Sequence, residues 1–224
     1  MIKRYQRTNQ RNVLNIKYHQ WQSFLLDRDK EKYYGSVSPV LHLLKNKKDI
    51  VAAEIGVFRG KSTLAMLECW DVKKIYLIDP FCKEAADDSN KLDTVNKYLD
   101  EELYQETRSR VENHVRGSNA IWVREKSSLA ACEIPDGELD FIFIDGAHDY
   151  ESVLNDIQLY YPKVKSGGII AGDDFTNRYN RPQNFGVVEA VNTAFWDLGY
   201  REINAYKHKH KPEDYYSTFA MIKE

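Results

Sequence analysis

From residue 49 onward, short apolar runs alternate with longer amphipathic stretches, and few folds accept such a chain. The runs are Ile50–Ile55, Lys74–Asp79, Ala120–Val123, Leu139–Asp145 and Gly168–Asp173. Helical patterns lie between them, near 61–70, 91–114, 128–132 and 150–162. Runs this apolar bury both faces, which places them in a parallel sheet with helices on each side. After Asp174 the pattern changes. A loop over 176–185 leads to a helix over 187–198, and strands near 200–206 and 215–223 form a hairpin that completes the sheet, one strand antiparallel.

Residues 1–48 are polar and read as a helical extension, with one or two helices over 13–34 packed across the sheet edge as a lid; residues 49–224 form the main domain. The stretch Tyr33-Tyr34-Gly35-Ser36 is then expected to face the acceptor. The first 17 residues carry Lys3, Arg4, Arg7, Arg11 and Lys17 without an acid, read as a solvated face. A formal net charge of -2 gives no general affinity for polyanions, so no nucleic-acid partner is expected. No apolar run reaches the roughly 18 residues that span a bilayer, and no secretory signal is visible. Cys69, Cys82 and Cys132 lack metal-ligand spacing and read as free thiols of a reducing, cytoplasmic setting.

Three acids close two of the predicted strands. Asp145 ends one; Asp173 and Asp174 end another. If those strands are neighbours, the carboxylates meet at the carboxyl edge, where open α/β sheets bind ligands. Clustered carboxylates repel unless a cation or a proton sits among them. A divalent metal, Mg²⁺ or another hard cation, is the simplest answer, with Asp145, Asp173 and Asp174 as ligands.

The first strand leads into Glu54-Ile55-Gly56-Val57-Phe58-Arg59-Gly60-Lys61-Ser62-Thr63. Gly56 and Gly60 allow a tight turn and close approach of a ligand, and Ser62 or Thr63 sits at the start of the next helix. The glycine spacing is neither a full dinucleotide fingerprint nor a nucleoside-triphosphate loop. Asp79 ends the second strand 25 residues after Glu54, where an acid takes the ribose hydroxyls of an adenosine cofactor or merely caps the Pro80 turn. Ser127 and Ser128, after the third strand, either line an adenine slot or cap a helix.

Taken with Ile78-Asp79-Pro80-Phe81, with Phe143-Ile144-Asp145-Gly146-Ala147-His148-Asp149-Tyr150, and with the run from Leu159 to Gly168-Ile169-Ile170-Ala171-Gly172-Asp173-Asp174, the chain resembles the class I S-adenosylmethionine-dependent methyltransferases. Within them it is similar to the macrocin-type sugar O-methyltransferases. The resemblance covers about residues 33–222 and implies a Rossmann-like, seven-stranded, mostly parallel α/β sheet with its last strand antiparallel. It also implies S-adenosylmethionine held at Glu54, Gly56, Gly60, Ser62, Asp79, Ser127, Ser128 and Asp145, and it leaves a homo-oligomer open. In the related catechol-type enzymes the same strand-end positions hold a metal, and a Lys base stands where this chain has His148.

Methyl transfer from a sulfonium needs proximity, charge stabilisation and a deprotonated acceptor oxygen. His148 titrates near neutrality and is the candidate base, with Asp145 as the alternative; a purely structural His148 is the competing reading. The expected activity is metal-dependent O-methylation of a sugar or glycoconjugate hydroxyl, abolished by EDTA. The alternatives are a catechol-like or natural-product acceptor, an oxygenase-like relative, and a non-catalytic adenosine-binding domain, which would have no need of His148 beside three acids. Arg178, Tyr179, Arg181 and Asn184, and the basic run Lys207–Lys211, are candidates for gripping the acceptor.

Overall fold

The computed structural model describes residues 14–19, 35–82, 100–114, 120–175, 186–207 and 216–224. Strands β1 (Asn15–His19), β2 (Ile50–Ile55), β3 (Val72–Ile78), β4 (Ala120–Val123), β5 (Leu139–Ile144), β6 (Val164–Gly172), β7 (Glu202–Lys207) and β8 (Tyr216–Ile222) form one sheet. Their order is β1-β7-β8-β6-β5-β2-β3-β4. All pairs are parallel except those of β8, which runs antiparallel to both β6 and β7. The helices are α1 (Lys61–Cys69), α2 (Glu101–His114), α3 (Ser127–Ala130), α4 (Tyr150–Tyr160) and α5 (Val187–Asp197).

The two faces of the sheet can be followed residue by residue. Along β2, Val51, Ala53 and Ile55 enter one buried cluster, while Ile50 and Ala52 enter the other. This is the period of two that a pleated strand imposes. The first cluster is closed by α4 and α5 through Val153, Ile157, Tyr160, Val191 and Phe195. The second is closed by α1, α2 and a 3-10 turn at Ser38–Leu44. Phe141 and Phe143 of β5 are fully buried in the second cluster, each contributing about 1.5–3 kcal/mol over its exposed state.

One element departs from expectation. Residues 15–19, predicted helical, form a strand, and the sheet has eight strands rather than seven. Its register runs Asn15↔Glu202 to His19↔Tyr206. Backbone pairing with β7 holds this strand in place more than burial does: Ile16 packs on the core, whereas Tyr18 is 61% exposed. Side chains add the Lys17–Glu202 ion pair, the His19–Asn204 contact at 2.8 Å and the stacking of His19 on Tyr206. Five polar-rich residues give too short an alternation to outweigh a helical pattern. The rest of the proposed lid, residues 20–34, lies outside the described residues, as do residues 83–99, 176–185 and 208–215 with the acceptor candidates among them. Among the described residues no helix is long and apolar enough to cross a membrane.

Because β2, β3, β4, β5 and β6 are mutually parallel, the segments after their last residues share one edge. Those segments carry Gly56, Asp79, Ser127, Asp145 and Asp173. The opposite edge is used structurally. There the buried Asp140 accepts from the Val51 amide (2.8 Å) and pairs with Lys165 (2.8 Å) and Lys47 (3.1 Å). Burial pushes its pKa up, and those three partners outweigh that push and hold it below the usual carboxylate range.

Candidate active site at the carboxyl edge of the sheet

The turn after β2 is built around two glycines with left-handed backbone. Gly56 (φ +85°) donates to the Ile78 carbonyl at 2.9 Å, and Gly60 (φ +67°) begins α1. The sequence assigns Gly56 to close approach of a ligand; in the fold it first makes close approach of the protein to itself. A Cβ there would lie 2.1 Å from the Asp145 carbonyl oxygen. Gly60 instead packs against the Thr107 and Val111 methyls of α2. Glu54 is buried beneath this turn and accepts the Thr63 hydroxyl. Burial pushes its pKa well above the usual carboxylate range against that hydroxyl, and Asp145 and Asp79 add to the rise.

Asp79 stands next along the edge and is also buried. One of its oxygens accepts from the Phe58 amide (2.9 Å), the other from the Phe81 amide (2.8 Å). It thereby ties the glycine turn to its own turn, and both phenylalanines take positive φ. The Val57 amide adds a third backbone contact. Burial raises the Asp79 pKa, and the amides pull the other way. The Asp79 amide in turn donates to Val123 at the end of β4 (3.2 Å), which brings the Ser127 loop alongside. Ser128 is exposed there, whereas the Ser127 hydroxyl is committed to Asp156.

The strand-end acids lie at the centre. The Asp145 amide donates to Ile55 (2.9 Å) and the Asp173 amide to Ile144 (3.1 Å), so adjacent strand ends carry them as predicted. His148 follows one turn after Asp145. Its Nε2 lies 3.3 Å from Asp174 Oδ2 and 3.8 Å from Asp145 Oδ1. Asp174 is 8% exposed and takes a left-handed backbone, φ +57°. His148 does not cap α4; Asp149 does, accepting from the Ser152 amide at 3.0 Å. The imidazole thus stands beside two of the strand-end carboxylates. Among the described residues no three His, Cys, Asp or Glu side chains gather as a metal-ligand set.

A residue from before the main domain completes the site. Ser36 donates its hydroxyl to Asp145 Oδ2 at 2.5 Å and lies 3.3 Å from the Ser62 hydroxyl at the start of α1. Its carbonyl accepts from Thr218 (3.2 Å), and Ser62 accepts from the Val37 amide (3.4 Å). The sequence placed Ser36 toward the acceptor but did not pair it with Asp145. A separation of 109 residues carries no local signal. Asp156 was not singled out at all, because an acid inside a helical pattern looks like a solvated one.

The family described as a methyltransferase domain matches residues 53–175. A curated relative, the uncharacterised protein R132 of Acanthamoeba polyphaga mimivirus, is 31% identical over 190 residues, 80% of this chain and 77% of that protein. Among solved structures, a candidate rRNA methylase from Clostridium thermocellum aligns with a TM-score of 0.60 at 10% identity, covering 86% of this chain and 100% of that one. The O-methyltransferase NovP aligns with a TM-score of 0.58 at 18% identity, covering 81% and 74%. These two share the fold; one is named for rRNA and the other only for O-methyl transfer, so the fold alone does not select an acceptor. The chain belongs to the methyltransferase-domain family.

Proposed function

We propose that this member of the methyltransferase-domain family moves a methyl group from S-adenosylmethionine to a hydroxyl oxygen of a small acceptor, a sugar or glycoconjugate. The observation that carries the reading is His148 Nε2 lying 3.3 Å from Asp174 and 3.8 Å from Asp145 at the edge occupied by the glycine turn and Asp79. A non-catalytic binding domain would have no use for a histidine so placed.

The residues fit the cofactor chemically. Asp79 holds its carboxylate at the edge where a ribose diol would lie, while the Ser62 hydroxyl is buried and engaged by Ser36 and the Val37 amide, so it shapes the start of α1. Glu54, Gly56 and Gly60 shape the turn, and Ser128 is the exposed hydroxyl of the next loop. Bound there, S-adenosylmethionine supplies a methyl on a sulfonium leaving group. His148 accepts the proton from the acceptor hydroxyl, while Asp174 and Asp145 orient the imidazole and stabilise the charge it gains. Asp145 is the alternative base. The preference for a sugar rests on the sequence resemblance carried by the Asp145–Tyr150 and Gly167–Asp174 motifs.

Asp145, Asp173 and Asp174 are also the residues that would hold a divalent cation. Their oxygens are the donors a hard ion takes, and an ion there would lower the acceptor's pKa. The proton transfer assigned above is carried by side chains, and an ion held by these acids would add to it.

The test is transfer of isotope-labelled methyl to free sugars, nucleotide sugars and catechols, with Mg²⁺ and with EDTA. Transfer is expected to be lost in His148→Ala; loss in EDTA restored by Mg²⁺ would assign the acids to a cation, and transfer unchanged by EDTA would leave them to the histidine alone. Failure of S-adenosylhomocysteine to bind in calorimetry would refute the cofactor reading.

A further inference from the structure

Asp156 lies in α4, away from the groups that face the acceptor, and only 3% of it is exposed. Its Oδ1 accepts the Ser127 hydroxyl at 2.5 Å. One turn along the same helix, Tyr160 donates its hydroxyl to the Ser127 carbonyl at 2.8 Å. Helix α4 therefore grips this one residue at both its side chain and its backbone. Ser127 opens α3, four residues after β4 ends, and the Asp79–Val123 hydrogen bond fixes that strand end beside the carboxylate assigned to the ribose.

An acid is a costly way to pin a loop by packing alone. Burying a carboxyl costs more than an apolar residue of the same size would, unless its charge or proton is put to use. Resting on the S-adenosyl cofactor reading above, we propose that Asp156 is a positioning residue for the nucleoside end of that cofactor. Through Ser127 it sets the loop after β4, and cofactor binding is coupled to its protonation.

The groups around Asp156 favour such coupling. Burial raises its pKa to about 7; the Ser127 hydroxyl pulls the other way, and Asp149 at the start of α4 adds to the rise. Tyr160, one turn along α4, has its phenol pushed up by burial, with Asp156 adding to the rise. Helix α5 packs against α4 with an apolar face that includes Val191 and Phe195. The influences that act on the carboxylate are thus burial, the Ser127 hydroxyl and Asp149. Ionised, Asp156 needs water, which reaches it only if the Ser127 loop loosens. A nucleoside lying on the loop opposes that loosening and so draws a proton onto the carboxyl.

The experiment is calorimetric titration of the full chain with S-adenosylhomocysteine near pH 7.5, in phosphate and in Tris. Wild type is expected to take up a fraction of a proton on binding and to lose affinity several-fold between about pH 6.5 and 8.5, within the tenfold per unit that one linked proton allows. Asp156→Asn should abolish both effects. Ser127→Ala, which leaves the buried acid in place, should weaken binding about two- to tenfold, as the loss of one hydrogen bond does. Proton uptake unchanged in Asp156→Asn, or full affinity in Ser127→Ala, overturns the proposal and leaves the cofactor reading intact. Weaker binding in both variants with wild-type proton uptake marks a structural tie only and also overturns it. No binding by wild type removes the cofactor reading itself.

Discussion

Replacing Gly56 with alanine should cost far more than the same change at Gly60, although the two glycines share one turn and both have left-handed backbone. Forcing an L-residue into that region costs about 1–2 kcal/mol by itself. At Gly60 the added methyl meets only two side-chain methyls, at 3.1 and 3.3 Å, which yield by a few tenths of an ångström. Gly60→Ala is therefore expected to cost about 1–2 kcal/mol. At Gly56 the methyl lands 2.1 Å from the Asp145 carbonyl oxygen, 2.5 Å from its carbon and 2.8 Å from the Gly146 Cα. These are backbone atoms, and clearing them means parting the ends of β2 and β5 by about 1 Å. The hydrogen bonds Asp145→Ile55 and Gly56→Ile78, both 2.9 Å, flank the clash, and each contributes about 1 kcal/mol net. With the backbone strain the total is about 4 kcal/mol, a gap of 2–3 kcal/mol between the variants. Urea denaturation of both, compared at equal m-value, measures it. Equal losses would show that Gly56 serves a ligand rather than the meeting of two strand ends, and would refute the packing argument.

Three further outcomes follow from other contacts. Asp79→Ala leaves the Phe58 and Phe81 amides without their acceptor and should cost about 2–4 kcal/mol in chemical denaturation, before any cofactor is added. Asp156 has its folded pKa raised to about 7 from 3.8, so its contribution to stability is fully present below about pH 4 and is lost as pH rises toward 7. At about 1.4 kcal/mol per unit, Asp156→Asn should gain on wild type by up to about 4 kcal/mol between pH 4 and 8; a gap that does not change with pH in urea melts contradicts the raised pKa. Ser36→Ala removes the hydroxyl that holds Asp145 Oδ2 and should lower kcat about tenfold on any acceptor that turns over, with S-adenosylhomocysteine affinity kept; a fall in affinity without a fall in kcat would place Ser36 on the cofactor instead.

The parts of this fold legible in the sequence are those whose physics is local or repeated. β2 and β4 occupy Ile50–Ile55 and Ala120–Val123 as read, because each run is apolar on both faces and bounded by polar residues. The adjacency of Asp145 and Asp173 follows from a strand-helix-strand unit between them. Side-chain partners were less visible. Ser127 looked like a cofactor ligand or a helix cap because a hydroxyl after a strand serves either; its bond to Asp156 depends on how α4 is rotated. The three acids suggested a cation because their number is legible, whereas the place of His148 beside Asp174 is not. β1 was lost because its partner is 187 residues away and its own five residues carry little apolar pattern.

That distant pairing bears on how the chain assembles in time. β1 precedes the other strands in the chain, yet among the described residues it pairs with β7, which itself joins through β8. On the ribosome, Asn15–His19 emerges long before Glu202–Lys207 exists and must wait unpaired until the last hairpin has formed. Closing a loop of that length costs little more than closing a shorter one at equilibrium, since the penalty grows only logarithmically, but it delays the step, because non-local contacts form last. β1 should accordingly be the final strand to lock and the first to come away. In hydrogen exchange its amides should open below the free energy of the parallel strands it follows into the sheet.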